Sequence, residues 1–318
     1  MARGRAHAAT TEQPVLEPRA RTPQRLLTTL LGDYWLDSGA MVPSAAWVEL
    51  IMEFGTTSAA TRAALARSTR RDLLRTEKRG RNTFYAVTRP TRDRLREGAR
   101  RILTFGRHSE EWDGQWTVVA FSLPEADRSL RHALTSRLRW IGLAPLYDGL
   151  WVSPRVPAAT ARAALAELDV QTATVLRADE PDAAGGLRPM LAAWSLERIH
   201  ESYEAFLGAH AGLLAAVRTG AIDPAEALIA RTTVMDEFRR FHRMDPNIPE
   251  GRMPAGWLRK DAVGMFTELY DSLGPPALAR VREIIAAHSP EAAASIDLHT
   301  VADAERWGAV SLEPAVEA

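Results

Sequence analysis

Between Phe54 and Val87 the chain runs through a turn, an arginine-bearing helix and a basic hairpin, an order of elements that few folds accommodate. The turn Gly55-Thr56-Thr57-Ser58 offers Ser58 as a helix N-cap, because a hydroxyl there can accept from the free amides of the first helical turn. The segment that follows, AATRAALARSTRRDLL, turns Leu65 inward and leaves Arg62, Arg67, Arg70 and Arg71 on the exposed side. Leu74 to Lys78 and Thr83 to Val87 then flank Arg79-Gly80-Arg81-Asn82, where Gly and Asn supply the permissive backbone of a tight hairpin. A helix that can enter a major groove, with a charged wing beside it, is chemistry that nucleic acid requires and few other ligands do.

Charge along the chain points the same way. The formal net charge is zero, yet residues 1–107 hold 20 of the 40 Lys and Arg and only 10 of the 40 Asp and Glu. A basic first third on an acidic remainder suggests a polyanion-binding head on a body with another task. The alternative, that any one of these arginines is a solvated surface group, stays open. With 46% hydrophobic and 25% charged residues the composition is that of a soluble globular protein. No run approaches the ~18 apolar residues of a membrane span, and the N-terminus lacks the apolar core of a signal peptide. The absence of cysteine excludes disulfides and thiolate metal sites and fits a reducing cytoplasm, which is the expected location.

The pattern divides the chain into an α+β multidomain protein. Residues 1–21 read as a disordered arm. Helices follow over Pro23 to Gly32, Ser44 to Phe54 and the arginine segment; with the hairpin they give the order of a winged helix-turn-helix. Residues 90–107 form a charged linker helix, so that this domain spans 22–107. Over 110–182, runs at Trp116–Leu123, Leu150–Val152 and Gln171–Leu176 read as strands, alternating with helices at Glu125–Trp140 and Pro157–Leu168. That order suggests a small ferredoxin-like domain. Residues 181–186 are a loop, and 188–300 read as an all-α domain with helices near 191–219, 224–243, 258–272 and 275–288. Residues 301–318 read as a loose tail.

Several segments carry a family resemblance: Leu26–Tyr34 (LLTTLLGDY), Phe54–Leu74, Arg79–Tyr85 (RGRNTFY), Trp112–Glu125 (WDGQWTVVAFSLPE), Leu138–Pro154 (LRWIGLAPLYDGLWVSP) and Phe238–Pro246 (FRRFHRMDP), followed by Trp257 and Leu269-Tyr270. In this order the chain resembles the PaaX family of bacterial transcriptional repressors. The resemblance implies an N-terminal winged helix-turn-helix, a central domain similar to the small CRISPR-associated ferredoxin-like nuclease, and an all-α C-terminal domain. It also implies a dimeric repressor on an imperfect palindrome in double-stranded DNA, released by an aryl-acyl-CoA thioester. Two positions depart from the family pattern: Ser68, where a larger apolar residue is expected, and Asp72, where a helix-ending glycine is expected. Both changes should loosen the end of the arginine helix.

The residues expected to meet DNA are Ser58, Arg62, Ala63, Arg67, Thr69, Arg70 and Arg71 on the helix. Arginine can bond guanine bidentately, and small alanines let the helix approach base edges. Lys78, Arg79, Arg81 and Asn82 on the wing should meet phosphates or the minor groove. For an effector, Tyr147 and Trp151 offer aromatic walls, while Arg239, Arg240 and His242 offer groups for CoA phosphates. Against these stand structural readings: Arg239 and Arg240 can pair with Asp236 and Glu237, and Trp116 and Trp140 read as core. No Gly-rich phosphate loop, GxSxG elbow or HExxH occurs, and Glu197-Arg198-Ile199-His200 lacks a third ligand. The first central strand ends Ala120-Phe121-Ser122-Leu123 with no carboxylate. The reading is therefore a regulator with no cofactor, no metal and no catalytic role. A metal-dependent nuclease, or a regulator without a small-molecule effector, are the alternatives.

Overall fold

A computed structural model describes residues 22–108, 111–180 and 189–307. The expected arm, the 181–186 loop and the end of the tail lie outside the described residues. Helix α1, Pro23–Tyr34, starts at Thr22, whose side chain accepts from the Arg25 amide, with proline in the first turn where a missing N–H costs nothing. It runs past Gly32, the expected stop, and buries Leu26, Leu27, Leu30 and Leu31 along one stripe. After the two-residue strand β1, Val42–Pro43, comes α2, Ser44–Met52, whose Trp47 packs on Trp35 with ring centroids 4.5 Å apart. Helix α3 covers Ser58–Arg70, β2 Leu74–Arg79 and β3 Asn82–Val87, and the three strands align in the order β1-β3-β2. Helix α4, Arg89–Leu103, leaves this unit.

The two ends of α3 are built differently from the sequence expectation. Thr57, not Ser58, is the N-cap: it has extended backbone, and its Oγ1 accepts from the Ala60 amide at 3.2 Å. Ser58 is already helical, so its hydroxyl is free to accept from Arg62 at 3.1 Å. At the other end Asp72 takes the left-handed conformation, φ +53°, where the family pattern has glycine. The Leu73 amide donates to the Ser68 carbonyl at 2.9 Å and the Asp72 amide to Thr69 at 3.0 Å, the paired bonds of a Schellman closure. Nor does Ser68 loosen the helix. It is buried, donates to the Ala64 carbonyl at 3.0 Å and accepts from Gln24 at 2.9 Å, so a polar pair fills the place of an apolar side chain.

The central unit has four strands, one more than expected. They are β4, Trp116–Phe121, β5, Ala144–Tyr147, β6, Leu150–Ser153, and β7, Ala173–Ala178, in the order β5-β6-β4-β7 with every neighbour antiparallel. Pro145 hid β5, since proline reads as a turn; here it sits on an edge strand next to a register shift, where its missing N–H is tolerated. Helices α5, Arg128–Ile141, and α6, Ala158–Ala166, cover the face carrying Val119, Phe121 and Trp151. The opposite face, with Trp116, Val118, Leu146 and Val152, is met by Met190 and Trp194. Trp116 is core as expected, but Trp140 is 58% exposed, with the Arg137 guanidinium 4.8 Å from its ring.

The remaining helices are α7, Leu196–Arg218, α8, Pro224–Phe238, α9, Phe241–Met244, α10, Arg259–Ser272, α11, Gly274–Ala286, α12, Pro290–Ala294, and α13, Val301–Arg306. The expected helix to residue 243 is thus two, and the expected loose tail is ordered through α13. A capping box between Thr300 and Asp303 starts that helix, and Val301 and Ala304 anchor it by burial. One apolar core runs from Leu26, Leu30, Trp35 and Trp47 into Phe238, Phe266, Tyr270 and Ile285, while the central unit keeps its own.

Polar groups tie the same seam. Arg231 is fully buried between the rings of Tyr34 and Tyr270, at 5.1 and 3.8 Å, with Asp33 at 3.9 Å. It donates to the carbonyls of Tyr270 and His299. Tyr270 bonds Asp33 at 2.8 Å and His299 at 3.2 Å. Burial above all, with the charge of Arg231 beside it, pushes His299 down to about 3.

Two measurements follow from this fold. Thr57→Ala should cost about 1 kcal/mol in chemical denaturation, whereas Ser58→Ala should stay within about 0.5 kcal/mol. Asp72→Gly should stabilise by roughly 1 kcal/mol by relieving the left-handed side-chain penalty. Equal effects at Thr57 and Ser58 would contradict the cap assignment. For His299, the folded ring is neutral whereas the unfolded ring binds a proton below about 6.5. Its contribution is therefore present above pH 6.5 and lost as the pH falls toward 3, with a slope approaching about 1.4 kcal/mol per pH unit. Urea melts at pH 7 and pH 5 should show a smaller loss in His299→Asn than in the wild type; parallel losses would mean that the ring is not held neutral.

Candidate nucleic-acid interface

The burial pattern of α3 separates its two sides. Thr61, Ala64, Leu65 and Ser68 point into the core, while Arg62, Ala63, Ala66, Arg67 and Arg70 are exposed and share the outer side. Thr69 is half-buried and its hydroxyl donates to the Leu65 carbonyl at 3.1 Å, which ties it to its own helix. Arg71 is the exposed C-cap residue. Among the described residues no ion pair engages Arg62, Arg67, Arg70 or Arg71, so their charge is left for an external anion.

The hairpin closes with Arg79 opposite Asn82, leaving Gly80 and Arg81 as the two-residue loop. Gly80 sits at φ +61°, so a side chain there would be strained, and the turn carries Lys78 and Arg81 outward. Arg79 differs from its neighbours. Its guanidinium bonds Glu77 at 2.7 Å and lies 4.7 Å from the Phe84 ring centroid. That hydrogen bond holds the Glu77 carboxyl below its usual range. Lys78 and Arg81 are therefore the uncompensated cations of the tip, and Asn82 is exposed beside them.

Two acidic groups of the same unit are bonded to the body. Glu53 on the α2–α3 turn pairs with Arg280 of α11 at 2.8 Å, and Glu49 of α2 with His288 at 2.7 Å. On α1, Arg25 pairs with Asp236 of α8 at 2.8 Å. These contacts span more than 200 positions, and no local sequence signal could have found them. Glu49, Glu53 and Arg62 line a shallow depression of about 540 Å³ with Met52 at its edge.

The residues expected to meet an effector lie on two units, Tyr147 and Trp151 in the central one and Arg239, Arg240 and His242 among the C-terminal helices. Trp151 is 3% exposed in the central core, with Arg139 5.0 Å from its ring, whereas Tyr147 is 51% exposed at the end of β5. Arg239 lies at the α8–α9 corner, paired with Asp236 at 2.7 Å and donating to Thr29 at 3.1 Å, which matches the structural reading of that arginine. Burial lowers Arg239 to about 10. His242 at the same corner has Nδ1 2.6 Å from the Arg239 carbonyl, and burial drives it down to about 4, so it is neutral near pH 7. Arg240 is half-buried beside them. No helix among the described residues is long and apolar enough to cross a membrane.

Known proteins match these units in chain order. Residues 22–90 match the model described as PaaX-like protein, 109–187 the PaaX protein central Cas2-like domain, and 194–283 the PaaX-like protein C-terminal domain. The transcriptional repressor PaaX of Escherichia coli (strain K12) is 26% identical over 265 residues, covering 81% of this chain and 82% of that protein. The solved structure of the uncharacterized protein Rv0674 from Mycobacterium tuberculosis is similar in fold, with a TM-score of 0.51 at 18% identity, over 82% of this chain and 97% of that one. With three matches side by side in chain order, this chain belongs to the PaaX family.

Proposed function

We propose that this protein is a sequence-specific DNA-binding transcriptional regulator acting as a repressor. The observation that carries the reading is the uncompensated row of Arg62, Arg67, Arg70 and Arg71 on α3, beside Lys78 and Arg81 on the hairpin tip. The order α1-β1-α2-α3-β2-β3, with the three strands in one sheet, agrees with a winged helix-turn-helix in which α3 is the reading helix. The β-α-β-β-α-β order of the central unit agrees with a ferredoxin-like domain. The repressor named among the relatives supports regulation rather than catalysis. Nothing favours the nuclease alternative, because Trp116 to Leu123 carries no carboxylate to hold a metal.

In this reading a homodimer presents two copies of α3 to the half-sites of an imperfect palindrome, and an aryl-acyl-CoA thioester weakens the complex. The effector can act only by binding one arrangement of the dimer better than another. Since Arg239 is engaged by Asp236, Arg240 is the predicted effector cation that remains for a CoA phosphate at that corner.

The test uses duplex DNA from the region flanking the protein's own gene, in a salt series followed by fluorescence anisotropy. Arg67→Ala should lose about 1–3 kcal/mol of discrimination, concentrated at one base position. Arg81→Ala should weaken binding to all sequences alike and lower the salt slope by about one. Arg79→Ala should do less than Arg81→Ala, because Glu77 already neutralises that arginine. Absence of binding, or identical behaviour of Arg67→Ala and Arg81→Ala, would overturn the assignment of a reading helix and an anchoring wing. In the same assay phenylacetyl-CoA should reduce affinity; no thioester dependence would leave a regulator without this effector.

A further inference from the structure

The segment after α12 crosses the seam between the DNA-facing unit and the C-terminal helices, touching both sides in turn. Ser295 Oγ lies 3.0 Å from Ser38 Oγ, in the turn after α1. Ile296 is fully buried and its carbonyl accepts from Arg282 at 2.7 and 3.0 Å. The His299 carbonyl accepts from Arg231 at 3.0 Å, and the Val301 amide donates to Asp271 at 3.0 Å. From there α13 lies against α4. Glu305 pairs with Arg107 just beyond α4 at 2.9 Å, and Trp307 places its ring 5.6 Å from the Arg96 guanidinium and 4.9 Å from the His299 ring. Arg96 in turn pairs with Asp37 behind α1.

Helix α4 is the element that this arrangement controls. It begins at the base of the hairpin, where Thr88 donates to the Asp72 carbonyl at 2.9 Å, and it ends in the chain leading to the central unit. Beyond its C-terminus Gly106 sits at φ +79°, so close to α10 that a Cβ would come within 2.7 Å of Val263. The chain just beyond α4 is thus pressed on α10 from one side, and α13 meets the second half of α4 at Arg96 and reaches Arg107 beyond its end, while α1 packs against α4 as well.

We propose that residues 295–307 form a clasp over α4 that makes the DNA-facing unit, α4 and the C-terminal helices move as one body. While the clasp is closed, displacement of the central unit is resisted by the buried seam. When it opens, α4 keeps its packing on α1 but loses this tie to the C-terminal helices, and Thr88 at its start stays bonded to Asp72 just past α3. The regulatory meaning of the clasp rests on the DNA-binding reading above, but its mechanical role does not.

The test is native-state hydrogen exchange on the full chain, comparing wild type with the double variant Glu305→Gln/Trp307→Ala, which leaves Ile296, His299 and Val301 in the core. Exchange over α4 should rise about tenfold, with the 116–178 region unchanged. Arg107→Ala should give a smaller rise in the same peptides, and adding it to the double variant should produce less than the combined effects. Unchanged protection of α4 while 301–307 exchanges freely would overturn the proposal, because α13 would then be a passenger. A rise spread evenly over the whole chain would also overturn it, as simple destabilisation. DNA affinity is measured alongside. If wild type binds and the double variant binds equally well despite a loosened α4, the regulatory role fails; if wild type binds no DNA, the functional reading fails while the exchange result still decides the mechanical role.

Discussion

Arg231 has no exposed surface, so the whole of its charge must be compensated by protein. The compensation comes from both halves of the seam: Asp33 and the Tyr34 ring from α1, the Tyr270 ring and carbonyl from α10, and the His299 carbonyl from the segment before α13. Moving the N-terminal unit away from the C-terminal helices would leave a buried cation with half of its partners, a cost of several kcal/mol in comparable cases. Apolar packing in the same core adds a force without direction, whereas Arg231 adds one with a required geometry. The mutual orientation of the two units follows from that.

A fixed orientation matters because the interface presents charge rather than shape. Among the described residues the outer side of α3, with Lys78 and Arg81 of the hairpin, carries cations with no ion-pair partner, while Glu49 and Glu53 of the same unit are turned to His288 and Arg280 on the body. The body thus engages Glu49 and Glu53 of the N-terminal unit through its own side chains. Electrostatic attraction to a polyanion is long-ranged and needs no fitted pocket, which suits a site made of exposed side chains.

The same unit shows how far local sequence reasoning reaches. The amphipathic stripe of α1, the inward Leu65, the exposed arginines and the Gly80 turn were all readable, since each depends on neighbours within a few positions. The cap of α3 was missed by one residue because Thr57 and Ser58 are equally good cappers and only backbone conformation separates them. Asp72 and Ser68 looked like weak points, but the helix still closes in a Schellman motif at Asp72, and the side chain of Gln24, from another helix, satisfies Ser68. Strand β5 was hidden by Pro145, whose place on a sheet edge depends on strand order. Trp140 looked apolar enough for a core, yet its helical phase puts it in solvent.

From the amino-acid order alone came the classes of element, the basic first third, the helix-and-hairpin pattern and the family resemblance, because periodicity, turn chemistry and charge are local properties. The Arg239–Asp236 pair was among its readings, but which of the remaining charges find partners could not come from it. Asp236 holding both Arg25 and Arg239, Glu77 neutralising Arg79, and the buried Arg231 at the seam determine which cations are structural and which remain for a ligand. The first two of the effector residues, Tyr147 and Trp151, sit in one unit and Arg239, Arg240 and His242 in another, and sequence adjacency gave no means of knowing whether they would meet. Contacts across more than 200 positions depend on how whole helices pack, and pairing energies of that range leave no trace in short windows of sequence.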